Sequence, residues 1–309
     1  MRKNLQWKGS LFLAVMAVTA VLPLAPKADA SDSAAVTMTV TAVGSKNSPP
    51  PPVKKEDVEL YRAKARTQVA DWKGGVPLHL AILIDDSLES NVALQWNDLK
   101  AFMMAQPATT YIAVAYARNG TAMVAQDFTA DHALAAKALR MPLGNSMAFT
   151  SPYLALLDWI KRWPDSNDRK SILLFSSGID YFRGPYDPVD PDVDFTIEQA
   201  QKKNINIWSI YAPDAGHRAR GNYVQFLAQG FLTRVAGESG AESFYIGFLP
   251  AVSFKPYFDE LQQHLNNQYL LTFVGNAGKK GKFEGVRLAT ELPGVEFLAA
   301  PQAFVPAYK

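Results

Sequence analysis

Residues 35–43 alternate apolar and hydroxyl side chains, with Val36, Met38, Val40 and Ala42 separated by threonines. A period of two predicts one half-buried strand. The next stretch, GSKNSPPPPVKK at 44–55, ends that pattern; its prolines favour polyproline II and cannot enter a sheet ladder, so it is expected to act as a spacer. From residue 77 the pattern becomes an alternation of continuous apolar runs and helix-spaced segments. Strands are predicted at 77–84, 110–117, 171–177 and 204–212, and Asn119-Gly120 predicts a hairpin returning through 121–128. Val92, Trp96, Leu99 and Met103 recur at helical spacing within 90–106. Thr129 is expected to cap a helix running through Leu139, and Ser151-Pro152 supplies an N-cap and first-turn proline for a helix ending near Trp163-Pro164. Further helices are predicted over 223–235 and 256–265, with an edge strand at 243–246.

Beyond residue 267 the chain reads as three short strands, 268–275, 283–290 and 294–300, with no helix between them. Alternating strands and helices predict an α/β fold, a doubly wound, mostly parallel sheet flanked by helices. The tail strands and the strand at 35–43 are expected to form a small β subdomain beside it. The resulting division is 1–30 leader, 31–76 strand, spacer and lead-in, 77–266 α/β domain and 267–309 β tail.

Composition changes this picture in two places. The 309 residues contain no cysteine, which excludes disulfide scaffolds, thiolate metal sites and a cysteine nucleophile. The formal charge of +2 is concentrated at the start, where Arg2, Lys3 and Lys8 precede the apolar run 11–25 and small residues stand at Ala28 and Ala30. This is the layout of a secretory signal peptide cleaved after Ala30. Its removal takes away four basic residues and one acidic residue and leaves 27 against 28, a net of −1. The mature chain is therefore expected to be exported, periplasmic or extracellular, with no stable membrane span after cleavage. Without a basic stripe it is not expected to bind nucleic acid.

In an open parallel sheet, ligands bind beyond the carboxyl ends of the strands. Three such positions carry oxygen donors: Asp85-Asp86-Ser87-Leu88-Glu89-Ser90, Thr150-Ser151, and Ser176-Ser177-Gly178-Ile179-Asp180. Here the sequence resembles the von Willebrand factor type A domain, specifically the bacterial secreted VWFA-related group, over most of the mature chain. The resemblance implies a vWA, Rossmann-like sheet and a metal-ion-dependent adhesion site holding Mg²⁺, which binds a protein or surface ligand. Asp85 and Ser87 match the D-x-S-x-S motif, whose third position is Glu89 with Ser90 beside it. Thr150 matches the family threonine, with Ala155 and Leu156 following at the family spacing. The family's T/S-D-G-x-D stands as Ser176 to Asp180, so Ser177 replaces the metal-site aspartate while Asp180 is kept. Loss of that carboxylate leaves two readings open: a site in which Glu89 restores the charge, or a metal-free scaffold in an envelope assembly, with Asp85, Ser87 and Thr150 capping helices and loop amides.

The long segment 178–194 follows the third of these positions. Asp190, Asp192 and Asp194 have the first spacings of a calcium loop without its glycine or final glutamate, so a solvated acidic loop is expected. Tyr181, Phe182 and Tyr186 fit either partner contact or local packing. No enzyme is expected. Ser177 lacks a G-x-S-x-G elbow, and His79, His132, His217 and His264 show no pairing at metal-ligand spacing; His79 is expected to pack within its strand.

Overall fold

The apolar runs and their alternation place a six-stranded sheet between two helical layers. The computed structural model describes residues 33–45, 48–144, 150–215, 221–244 and 252–308. The predicted signal peptide, and the continuation of the 243–246 strand to Ile246, lie outside the described residues. In chain order the elements are β1 (Ser33–Gly44), β2 (Glu59–Arg62), β3 (Ala65–Thr67), β4 (Val69–Gly74), β5 (Leu78–Asp85), α1 (Trp96–Met104), β6 (Thr110–Arg118), β7 (Thr121–Thr129), α2 (His132–Lys137) and α3 (Pro152–Arg162). They continue with β8 (Arg169–Ser176), α4 (Pro191–Lys203), β9 (Asn206–Tyr211), α5 (Asn222–Glu238), β10 (Ser243–Phe244), α6 (Lys255–Asn266), β11 (Gln268–Asn276), β12 (Lys282–Ala289), β13 (Val295–Ala299) and β14 (Gln302–Val305).

The central sheet has the order β10-β9-β8-β5-β6-β7, parallel throughout except for β7. β7 returns from β6 through Asn119 and Gly120, both at positive φ (50° and 70°), as a two-residue hairpin turn demands. β5 lies in the middle and divides its side chains by the pleat. Leu80, Ile82 and Ile84 join one core with α1, α2 and α6, while Ala81 and Leu83 join the other with α3, α4 and α5. Each fully buried Leu or Ile stabilises the fold by roughly 1.5–3 kcal/mol. The strand therefore has no solvent-facing side, and its continuous apolar run follows from that.

Two antiparallel four-stranded sheets, β13-β1-β11-β4 and β14-β12-β2-β3, share a third core containing Val36, Met38, Val40, Leu60, Phe273 and Val305. β1 pairs with β11 and β13, as the tail pattern suggested; β12 instead pairs with β2 and β14. Four strands were not predicted. β2, β3 and β4 come from the polar lead-in, and β14 from the last residues. They are three to six residues long; β3, β4 and β14 are sheet edges, and β2 is held between β12 and β3 by two short ladders.

Two corrections concern helix starts. Asp131, not Thr129, caps α2 by accepting from Leu134 N at 3.0 Å, while Thr129 accepts from Asp131 N. The expected acidic loop is a helix from Pro191: Asp190 caps α4 by accepting from Asp192 N at 2.9 Å, with Asp192 and Asp194 in its first turn. Asp190 and Asp192 are buried rather than solvated.

Candidate functional site

The carboxyl ends of β5, β8 and β9 and the start of α3 meet at one edge of the central sheet. Asp85 ends β5 and is fully buried. Its carboxylate accepts from Ser87 N at 2.9 Å and from Ser176 Oγ at 2.8 Å, which ties β5 to β8. Burial pushes its pKa up to about 6; the Ser87 amide, the Ser87 and Ser176 hydroxyls oppose the shift, and nearby Asp214 adds to it.

Ser87 and Thr150 line one small cavity of about 20 Å³, together with Asp86, Ala117, Arg118, Asn119 and Leu143. That volume holds roughly one water-sized group. Ser87 is 1% exposed; its Oγ makes no hydrogen bond of ordinary geometry, although it lies close enough to Asp85 to favour the charged carboxylate. Thr150 sits beside the Ser151 cap of α3, where Ser151 Oγ accepts from Leu154 N at 3.1 Å, and its carbonyl accepts from Tyr181 N at 2.9 Å. Asp86 also lines the cavity, but Arg140 holds it bidentately at 2.7 and 2.8 Å. That guanidinium stacks 3.6 Å from the Tyr116 ring centroid.

The remaining motif residues are engaged elsewhere. Glu89 donates its amide to Pro213 O at 3.1 Å and turns its carboxylate to Asn91 Nδ2 at 2.9 Å, along the 3-10 turn that precedes α1. Ser177 Oγ accepts from Ile179 N at 3.4 Å. Asp180 accepts from Ser151 Oγ and from Arg183 N, so it joins α3 to the turn after β8. Burial is the main reason its pKa is raised. Gly178 between them is obligatory: its φ is +74°, and a Cβ there would stand 2.5 Å from Ala228 O.

Three aromatic candidates separate into two environments. Tyr181 is half-buried against Ile179, Val224 and Ala228, and its hydroxyl donates to Asp214. Phe182 and Tyr186 are exposed. The structure also brings in residues that motif reading missed. Asp214, fully buried after β9, bridges to Leu88, and Ala215 N donates to Ser87 O, so this loop lies along the Asp85–Glu89 loop. Its position just past a parallel strand's carboxyl end was the available signal. Asp180, Asp190 and Asp192 converge with carboxylate oxygens within 4.8 Å of one another, and Arg183 pairs with Asp192 at 2.8 Å. His79 stacks on Tyr111 at 5.0 Å within the sheet, near Asp168.

The central sheet, numbered within itself, runs 3-2-1-4-5-6 with its third strand antiparallel, and Asp85, Ser87 and Thr150 stand at its carboxyl edge. The fold is of the von Willebrand factor type A kind. No family model and no curated protein matches the sequence. Among solved structures, a von Willebrand factor type A protein from Catenulispora acidiphila is 13% identical, covering 89% of this chain and 73% of that one with a TM-score of 0.47. BatB from Bacteroides thetaiotaomicron is 11% identical over 62% of this chain and 98% of that one, TM-score 0.42. An aerotolerance-related membrane protein from Bacteroides fragilis is 11% identical over 61% and 98%, TM-score 0.44. With identities of 11–13% and TM-scores below 0.5, these likenesses say nothing of what this chain does. Any function of this vWA-type unit has to come from its own residues.

Proposed function

We propose that this protein is an exported binding module that recognises a protein or surface ligand at the carboxyl edge of its vWA-type sheet, with Mg²⁺ held by Ser87, Thr150 and Asp85. The observation that carries the reading is the Ser87 hydroxyl, buried without an ordinary hydrogen bond on a residue that, with Thr150, lines an ion-sized cavity. Two hydroxyls and a neighbouring carboxylate are hard oxygen donors of the kind Mg²⁺ takes, and the ion would supply positive charge for a carboxylate on the partner. Asp85 would contribute from beside the cavity while Ser176 and the Ser87 amide hold its orientation. The exposed rings of Phe182, Tyr186, Tyr223 and Phe226 favour a protein partner; Tyr223 and Phe226 flank Val224, which packs against Ile179 and Tyr181.

The metal-free scaffold reading has its own support. Ser177 supplies no carboxylate, and Asp180 spends its oxygens on Ser151 and Arg183. Calorimetric titration of Mg²⁺ into the chain separates the two. Saturable binding in the millimolar range or tighter, abolished in Asp85→Ala and strengthened about tenfold or more in Ser177→Asp, is the expected result. A wild type that binds no Mg²⁺, with Ser177→Asp gaining it, would overturn the metal reading and leave the scaffold.

A further inference from the structure

A second group of ligating side chains lies away from the carboxyl edge of the sheet. Glu260 and His264 stand four residues apart on α6, hence on one face of that helix. Glu242 comes from the approach to β10, the edge strand of the central sheet. One ligand atom from each of the three lies within 4.8 Å of the other two. His264 is only 5% exposed, and its Nδ1 is buried without a hydrogen-bond partner. Its ring is clamped by Trp208, 5.3 Å away, and Phe244, 6.2 Å away, so the imidazole has a fixed direction. Burial lowers the pKa of His264. Shelter and the adjacent Glu260 raise that of Glu242. Among the described residues neither glutamate has an ion-pair partner. Two carboxylates thus converge on an imidazole nitrogen with no cation to balance them.

We propose that Glu242, Glu260 and His264 form a binding site for a divalent transition-metal ion of the Zn²⁺ class, separate from the Mg²⁺ position. One nitrogen and two carboxylate oxygens suit a borderline ion, whereas Mg²⁺ and Ca²⁺ are taken by all-oxygen sets. Ligands around tetrahedral Zn²⁺ stand about 3.4 Å apart, given bond lengths of roughly 2.0–2.2 Å. Closing from the present spacing asks only for rotation of the two glutamates, one exposed and one half-buried, toward a fixed histidine. Three protein ligands leave the fourth position to water or an external donor. The ion would also fasten α6 to the sheet edge, because binding to the folded state alone adds to its stability.

The test is a Zn²⁺ titration of the untagged chain against a chromophoric chelator, in excess Mg²⁺ so that the other site is occupied or silent. One equivalent of Zn²⁺ is expected. Glu260→Gln should weaken it by about 10–100-fold, the Glu242→Gln, Glu260→Gln double variant should lose it, and both should keep the wild-type circular dichroism spectrum. Zn²⁺ should also shift the His264 ring resonances and perturb Trp208 fluorescence, changes that a merely structural pair of glutamates would not produce. Absence of Zn²⁺ uptake, or uptake unchanged in the double variant, would overturn the proposal.

Discussion

Asp190 carries an unresolved charge at the start of α4. It is 3% exposed; one oxygen accepts from Asp192 N, and the other is buried without a hydrogen-bond partner. Burial, then repulsion from Asp180, pushes its pKa up to about 6 from 3.8. A raised carboxyl pKa favours folding below about 3.8; that contribution is lost as pH rises and is gone above about 6. Asparagine keeps the cap and removes the charge. Asp190→Asn is therefore expected to be more stable than wild type at pH 7.5 by about 2–3 kcal/mol and equal to it at pH 3.5, as read by urea unfolding at both pH values. Equal stability at pH 7.5 would show that the charge is compensated. Asp85, Ser87 and Thr150 were legible as a group because short local motifs carry them. The burial of Asp190 and Asp192 was not, since aspartates flanking a proline read as solvent-exposed until Tyr153 of α3 and the Asp180–Arg183 turn close on them.

Helix α3 shows how an element's first residue can set the geometry of a site. Ser151 caps the helix through Leu154 N, Pro152 starts it at a position where no amide hydrogen is needed, and the same serine hydroxyl donates to buried Asp180. Ser151→Ala removes the cap and leaves one Asp180 oxygen without that partner. A loss of about 2–3 kcal/mol is expected in chemical denaturation. Ser151→Thr should recover most of it; failure to do so would mean that shape, not the hydroxyl, matters there. The Ser-Pro start is legible in the sequence, whereas the same cap-proline pattern at Asp190-Pro191 fits a loop as well as a helix start. Acidic residues at 192 and 194 suit the positive end of a helix as well as they suit solvent, and local pattern does not separate the two. β2 and β3 were missed because sheet pairing, not side-chain alternation, defines strands of three or four mostly polar residues.

At the scale of the whole molecule the chain closes on itself. β1 lies between β11 and β13, more than 220 residues later, and buries Val36, Met38 and Val40 with Phe273. A chain ending at residue 266 lacks both ladder partners of β1. It is expected to bind more of a hydrophobic dye and to aggregate more readily than the full chain; a truncation matching the full chain in both would show that the α/β unit shields those residues another way. Hydrophobic period and local start signals in the sequence determined the parallel strands, the β6–β7 hairpin, most helices and the carboxyl-edge placement of Asp85, Ser87 and Thr150. These depend on interactions within a few residues. Tertiary structure alone decided that Asp190 and Asp192 are buried, that Asp214 lies against the Asp85 loop, that Glu89 turns to Asn91, and that Glu242 reaches the Glu260–His264 face. In each case the partner is distant along the chain or the side chain has several local options, and only packing selects among them.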